Sequence, residues 1–403
     1  MPNSAGRQFI TLVVLALAAT LSPVSMDILT PSLPGLSADI GASPQTIELT
    51  LYSFLIGYGI APTLWGALSD RIGRRPIMLI GMCIYIASSL AGALSEDANW
   101  MIAVRFVQGI GGGAGATMAR ATVRDIYGAA GTTRSMARMI SLMAVVPFFM
   151  PLLGGTLASV FSWKACFIVM SLIGAISVTA YFYLVPETVP QRSASQSRIK
   201  LSVLNIVANP TFAQHAVCNM FCISTLVLFG ANFAFITAHQ FQLDSSANGL
   251  VLALFNGSIA AGTYLVWWLM GRLGTHHSIL AGAGSCALGW LGITILARTG
   301  HASLPLLAPM LVFAAAGCGV IMALCSGAAL TPFTHHSGTA SSMYLLLQSV
   351  GSSAISLTVG QLLPKQLFPI AAAITGCACL AFASKVLLSR LEGAPGTTEP
   401  SGL

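Results

Sequence analysis

RFVQGIGGGAGATMARATVRD, residues 105–125, holds Gly109-x-Gly111-x-x-Ala114, a spacing that can open a dinucleotide-binding turn. That turn needs a β-strand before it and a soluble βαβ unit around it. Here the glycines lie in a mostly apolar run from Trp100 to about Thr122, and long apolar runs flank it on both sides. The context excludes a phosphate cradle. Gly109-xxx-Gly113 and Gly111-xxx-Gly115 instead form small-xxx-small pairs, which let the backbones of membrane helices approach closely.

The composition agrees. The chain has 403 residues, of which 55% are hydrophobic and 7% charged. Soluble domains run at about 25% charged, so this chain cannot cover itself with a water-facing surface. Apolar runs of spanning length begin near residues 8, 46, 76, 99, 138, 163, 211, 246, 278, 303, 338 and 366. The first run is too long for a signal-peptide core and reads as a span. The expectation is an all-α integral membrane protein of twelve spans. It divides into an N-terminal six-helix bundle (1–186), a linker (187–210), a C-terminal six-helix bundle (211–390) and a tail (391–403).

An even count of spans puts both termini on one side. Of the 18 Lys and Arg, fourteen then share the side of the termini, three (Lys164, Arg298, Lys365) face the other side, and Arg105 remains within a span. The positive-inside rule makes the fourteen cytoplasmic. Arg-Ile-Gly at 71–73 repeats as Arg-Leu-Gly at 272–274, half a chain away. Parallel repeats of this kind accompany substrate sites near the membrane midplane.

At this point a resemblance enters. GALSDRIGRRP, Gly66–Pro76, resembles the loop 2–3 signature of the major facilitator superfamily, and RFVQG, Arg105–Gly109, the span 4 signature of its drug/proton antiporters. SMDILTPSLP, Ser25–Pro34, and ARATVRDIYG, Ala119–Gly128, resemble the bicyclomycin and chloramphenicol resistance subfamily. The resemblance implies a major facilitator fold in a bacterial inner membrane. It also implies proton-coupled efflux of small amphipathic drugs by alternating access. An exporter of an endogenous metabolite or siderophore fits the same resemblance, and a proton-coupled importer is the third reading. Two departures stand out. The family tends to have Gln where Glu48 stands, and span 5 (PFFMPLLGGTL, Pro147–Leu157) lacks the usual Gly-Pro pair while keeping Pro151 and Gly155 for helix packing.

Ionisable groups inside spans mark candidate chemistry, since each costs about 2.5–3.5 kcal/mol to insert. Asp27 in span 1 is the expected proton-binding carboxylate. Arg105 in span 4 is placed at nearly the same depth, roughly 7–9 Å outward of the midplane at 1.5 Å per residue. The two are expected to line one cavity and sense one another. Glu48, in the first turn of span 2, reads either as a carboxylate solvated at a helix N-terminus or as a second protonation or substrate-cation site. Gln108, Tyr52, Tyr58, Asn232, Phe233 and Phe255, with Phe229, Phe235, Trp268 and Asn256, are candidates for the substrate cavity. Gly66, Asp70, Arg71, Gly73, Arg74, Arg75, Arg124 and Asp125 form the expected cytoplasmic gate. The nine cysteines lie in apolar segments and read as packing residues. No catalytic group, metal or cofactor is expected. The partners expected are protons, a small-molecule substrate and the bilayer, with the protein a monomer.

Overall fold

A computed structural model describes residues 5–188 and 203–392. All of its regular structure is helical. In chain order the α-helices are α1 (Ala5–Ala19), α2 (Leu21–Leu29), α3 (Leu33–Ile40), α4 (Pro44–Ile72), α5 (Arg74–Ala93), α6 (Ala98–Met143), α7 (Val146–Val160) and α8 (Trp163–Leu184). They continue with α9 (Val203–Val207), α10 (Pro210–Gln240), α11 (Ser245–Arg298), α12 (Leu304–Leu330), α13 (Ser337–Leu346), α14 (Ser352–Leu362) and α15 (Leu367–Glu392). Among the described residues nine helices are long and apolar enough to cross a membrane, or ten if the bent pair 9–19 and 21–40 counts as one span. Below, "inner" means the end that the arginine bias assigns to the cytoplasm, and "outer" the opposite end.

Three glycines explain where helices stop. Gly73, Gly128 and Gly274 have φ of +117°, +60° and +71°, a region other residues rarely enter. Each combines that φ with an extended ψ. The repeated Arg-x-Gly thus gives matching breaks at Gly73 and Gly274. At 1.5 Å per residue the 54 residues of α11 would reach roughly 80 Å, over twice a bilayer core, so the chain turns at Gly274. Side-chain caps begin other helices: Ser43 accepts from the Thr46 amide at 3.2 Å, and Asp97 from the Trp100 amide at 2.9 Å.

The molecule divides into two compact units. The first comprises 1–198, 227–257 and 349–370; the second comprises 199–226, 258–348 and 371–403. The first unit therefore holds the whole N-terminal half together with the outer end of α10, the start of α11, and α14. In the second unit Phe212 packs against Phe333 and Tyr344 in a buried cluster with Ile206, Ala216, Ala329 and Ala340.

The glycines of α6 lie where its backbone meets other helices. A Cβ on Gly109 would overlap the Phe54 carbonyl of α4, and one on Gly115 the Ala18 carbonyl of α1. A Cβ on Gly113 would overlap Ala61, and one on Gly111 would stand 2.7 Å from the Tyr85 nitrogen of α5. In α7, Gly154 lies against Ile28 and Gly155 against Ser245 of α11, while Gly249 of α11 meets the Pro151 carbonyl. This glycine pair lets α7 touch α2 and α11 together.

Candidate functional site

Asp27 sits near the end of α2, just before the turn at Thr30–Ser32. It is half-buried. Its Oδ1 accepts a hydrogen bond of 3.1 Å from Asn256 Nδ2, which also donates to the Pro147 carbonyl at 2.8 Å. Pro151 explains why that carbonyl is available: proline has no N–H to give to residue i−4. Three elements, α2, α7 and α11, thus converge on one carboxylate, whose hydrogen-bond donor is a neutral amide.

Arg105 is fully buried in α6. Its Nη1 donates to Gln108 Oε1 at 2.6 Å, its Nη2 lies 3.9 Å from Met26 Sδ, and its guanidinium stacks 4.3 Å over the Phe54 ring. Gln108 passes the chain on, donating to Ser89 Oγ at 2.7 Å. Beside it Ser25 and Tyr85 share a hydroxyl–hydroxyl bond of 2.7 Å. Asp27 and Arg105, expected to sense one another, are thus held by different partners. The arginine reaches Met26, the neighbour of Asp27, so the depths agree. Successive residues on a helix point about 100° apart, and Asp27 faces α7 and α11 instead.

Glu48 is fully buried, which overturns its reading as a solvated helix-end carboxylate. Lys365 Nζ lies 2.6 Å from Glu48 Oε1 and donates to Oε2 at 2.7 Å, to Asn232 Oδ1 at 2.8 Å and to the Gly360 carbonyl at 2.8 Å. The Tyr52 hydroxyl stands 3.5 Å from Glu48 Oε2. Lys365, read from the sequence as an outer-loop charge, completes this cluster. The nearby signal was the departure at Glu48 together with a basic residue at the same end of the molecule.

At the inner end, Arg74 Nε pairs with Asp125 Oδ2 at 3.4 Å and Arg74 Nη1 also bonds Ser69 Oγ. Arg75 donates to the Phe182 carbonyl at 2.6 Å and stacks on its ring. Glu187, assigned from the sequence to the linker, accepts from the Arg74 and Arg75 amides, both at 3.1 Å. It caps the positive end of α5. Gly73 makes the turn, whereas nothing lies within 4 Å of a Cβ on Gly66, so close helix approach is absent there. Arg71 and Arg124 are exposed, and the side chain of Asp70 lies outside the described residues.

Among the cavity candidates, Phe229 stacks on Phe233 and Phe255 with centroids 4.5 and 4.1 Å apart. Phe235 is also buried. Tyr58 packs on the glycine face of α6. Trp268 is corrected: it is exposed, with Arg272 stacked 4.2 Å above it. Lys385, counted as a topogenic charge, is buried in the second unit and donates to Gln214 Oε1 at 3.0 Å, with His215 Nε2 3.1 Å away. Cys286 and Cys318 Sγ approach to 3.4 Å within the same unit.

Apolar helices with ionisable groups set among them define an integral membrane protein, and its family and relatives make it a transporter rather than an enzyme. The chain belongs to the Major Facilitator Superfamily, whose sequence profile matches residues 15–356. It is 26% identical over 364 residues to multidrug resistance protein D of Escherichia coli (strain K12), covering 88% of this chain and 89% of that one. It is 28% identical over 407 residues to a chloramphenicol resistance protein of Pseudomonas aeruginosa, covering 96% and 93%. Its fold matches a bacterial homolog of the human lysosomal transporter Spinster in an inward-facing, unoccupied conformation. That match has a TM-score of 0.76 at 15% identity and covers 98% of this chain and all of the other. Its spans and its bacterial relatives place it in the bacterial inner membrane.

Proposed function

We propose that the protein exports small amphipathic drugs, phenicol- or bicyclomycin-like, in exchange for protons, by alternating access. The substrate class is supported by the names of relatives, the two above and a bicyclomycin resistance protein homolog of Haemophilus influenzae. The twelve-span reading with both termini cytoplasmic follows if the bent pair 9–19 and 21–40 is counted as one span, α11 is split at Gly274, and the Arg105-bearing part of α6 is added to the other eight. The observation that carries the coupling is Asp27. Arg105 is sealed and Glu48 is ion-paired. Asp27 alone among these three is half-buried and accepts from a neutral amide. A carboxylate so placed exchanges a proton without breaking an ion pair. Its amide donor sits on α11, so protonation alters a contact between α2 and α11.

The test is drug transport in inverted vesicles under an imposed pH gradient. Wild type is expected to accumulate chloramphenicol uphill, and Asp27→Asn to bind drug without accumulating it. Uphill accumulation by Asp27→Asn equal to wild type sinks the assignment.

A further inference from the structure

The cluster around Lys365 has the form of a receptor. Four oxygens surround one nitrogen: both carboxylate oxygens of Glu48 on α4, Asn232 Oδ1 on α10, and the Gly360 carbonyl on α14, all within 2.6–2.8 Å. An ammonium has three N–H donors, and here each has an acceptor: Glu48, Asn232 and Gly360. The nitrogen arrives on a residue that follows α14, so the site is built by the chain and filled by the chain. Asn232 is itself fixed, its Nδ2 donating to the Leu228 carbonyl at 2.9 Å, which aims Oδ1 at the nitrogen. Next to this cluster Gln361 Nε2 donates to the Gln45 carbonyl at 2.9 Å. Lys365 and Tyr52 are the charged and titratable side chains facing Glu48.

We propose that Glu48, Asn232 and the Gly360 carbonyl form a primary-ammonium site occupied by the protein's own Lys365. This tethered ammonium is the latch that holds the outer ends of α4, α10 and α14 together. Fully buried Glu48 needs a cation while it is charged, and Lys365 can supply one only while α14 lies against α4. Separating them leaves Glu48 to find a proton, or an amine-bearing solute, from the outer side. The inference rests on the alternating-access reading, and it is tested without substrate or proton gradient, so its failure is separable from failure of that reading.

The experiment places cysteines at Gln45 and Gln361 and measures their cross-linking by a membrane-impermeant bis-maleimide, in the full-length protein in membranes. Lys365→Ala is expected to slow cross-linking roughly tenfold by emptying the latched population. Millimolar ethylammonium is expected to restore it, because a free ammonium fits the vacated oxygens. Tetramethylammonium, which has no N–H donor, is expected to do nothing, and Glu48→Gln/Lys365→Ala is expected to ignore both. Unchanged cross-linking in Lys365→Ala overturns the latch. So does rescue by both amines alike, absence of rescue by ethylammonium, or rescue that persists in the double variant. If Lys365→Ala fails to accumulate, Glu48→Gln/Lys365→Met removes both charges while keeping the bulk, and wild-type cross-linking in that variant overturns the proposal equally.

Discussion

Gly111→Ala measures how tightly α6 is drawn against α5. A Cβ at Gly111 would stand 2.7 Å from the Tyr85 nitrogen, 2.8 Å from the Gly81 carbonyl oxygen and 3.1 Å from the Tyr85 Cα. All three are backbone atoms, so no side chain can swing aside. Ordinary contact begins at 3.4 Å, and 3.4 − 2.7 requires α6 to retreat 0.7 Å from α5 at that point. The Gln108–Ser89 bond joins the same two helices one turn away and measures 2.7 Å. If the retreat carries along its axis, 2.7 + 0.7 gives 3.4 Å, the edge of hydrogen-bond range. Overpacking costs about 1–3 kcal/mol, and weakening a buried bond adds about 1 kcal/mol. Thermal unfolding in detergent is expected to fall by several degrees, and the Arg105 network to loosen with it, lowering transport. Gly66→Ala is the control, with nothing within 4 Å of its Cβ. Equal melting temperatures and transport rates for the two variants would refute the packing argument.

Gln108→Leu removes the acceptor from fully buried Arg105 and is expected to cost about 1.5–3 kcal/mol, read as thermal stability. Gly73→Ala forces a side chain into φ +117° and within 2.7 Å of Glu187 Oε2, a strain of about 1–3 kcal/mol. Maximal transport rate is expected to fall more than substrate affinity, and the reverse pattern counts against a role in switching. Asn256→Ala strips Asp27 and the Pro147 carbonyl of their shared donor. It is expected to uncouple drug movement from the pH gradient while wild-type expression persists; fully coupled transport contradicts the bridging role.

Why the glycines of α6 could be read and the latch could not is a matter of range. A small-xxx-small pair is a property of one helix: four residues bring two positions onto one face, whatever partner arrives. The Arg-x-Gly repeat is equally local, since a positive φ combined with an extended ψ favours glycine wherever it occurs. Depth along a helix is local too, which is why Arg105 and the Asp27 neighbourhood were placed together. Direction around the helix is fixed by packing against other helices, so the sequence does not say that Arg105 reaches Met26 while Asp27 turns to Asn256. Glu48 and Lys365 stand 317 positions apart. A lysine in an outer connection has two explanations in a sequence, topogenesis or pairing, and the charge count treats them alike. The distinction lies in cost. A topogenic lysine needs only water, whereas fully buried Glu48 needs a cation at bonding distance. A buried carboxylate at this position therefore calls for a compensating charge at the same end of the molecule. Lys365 is the basic residue that the fold brings there.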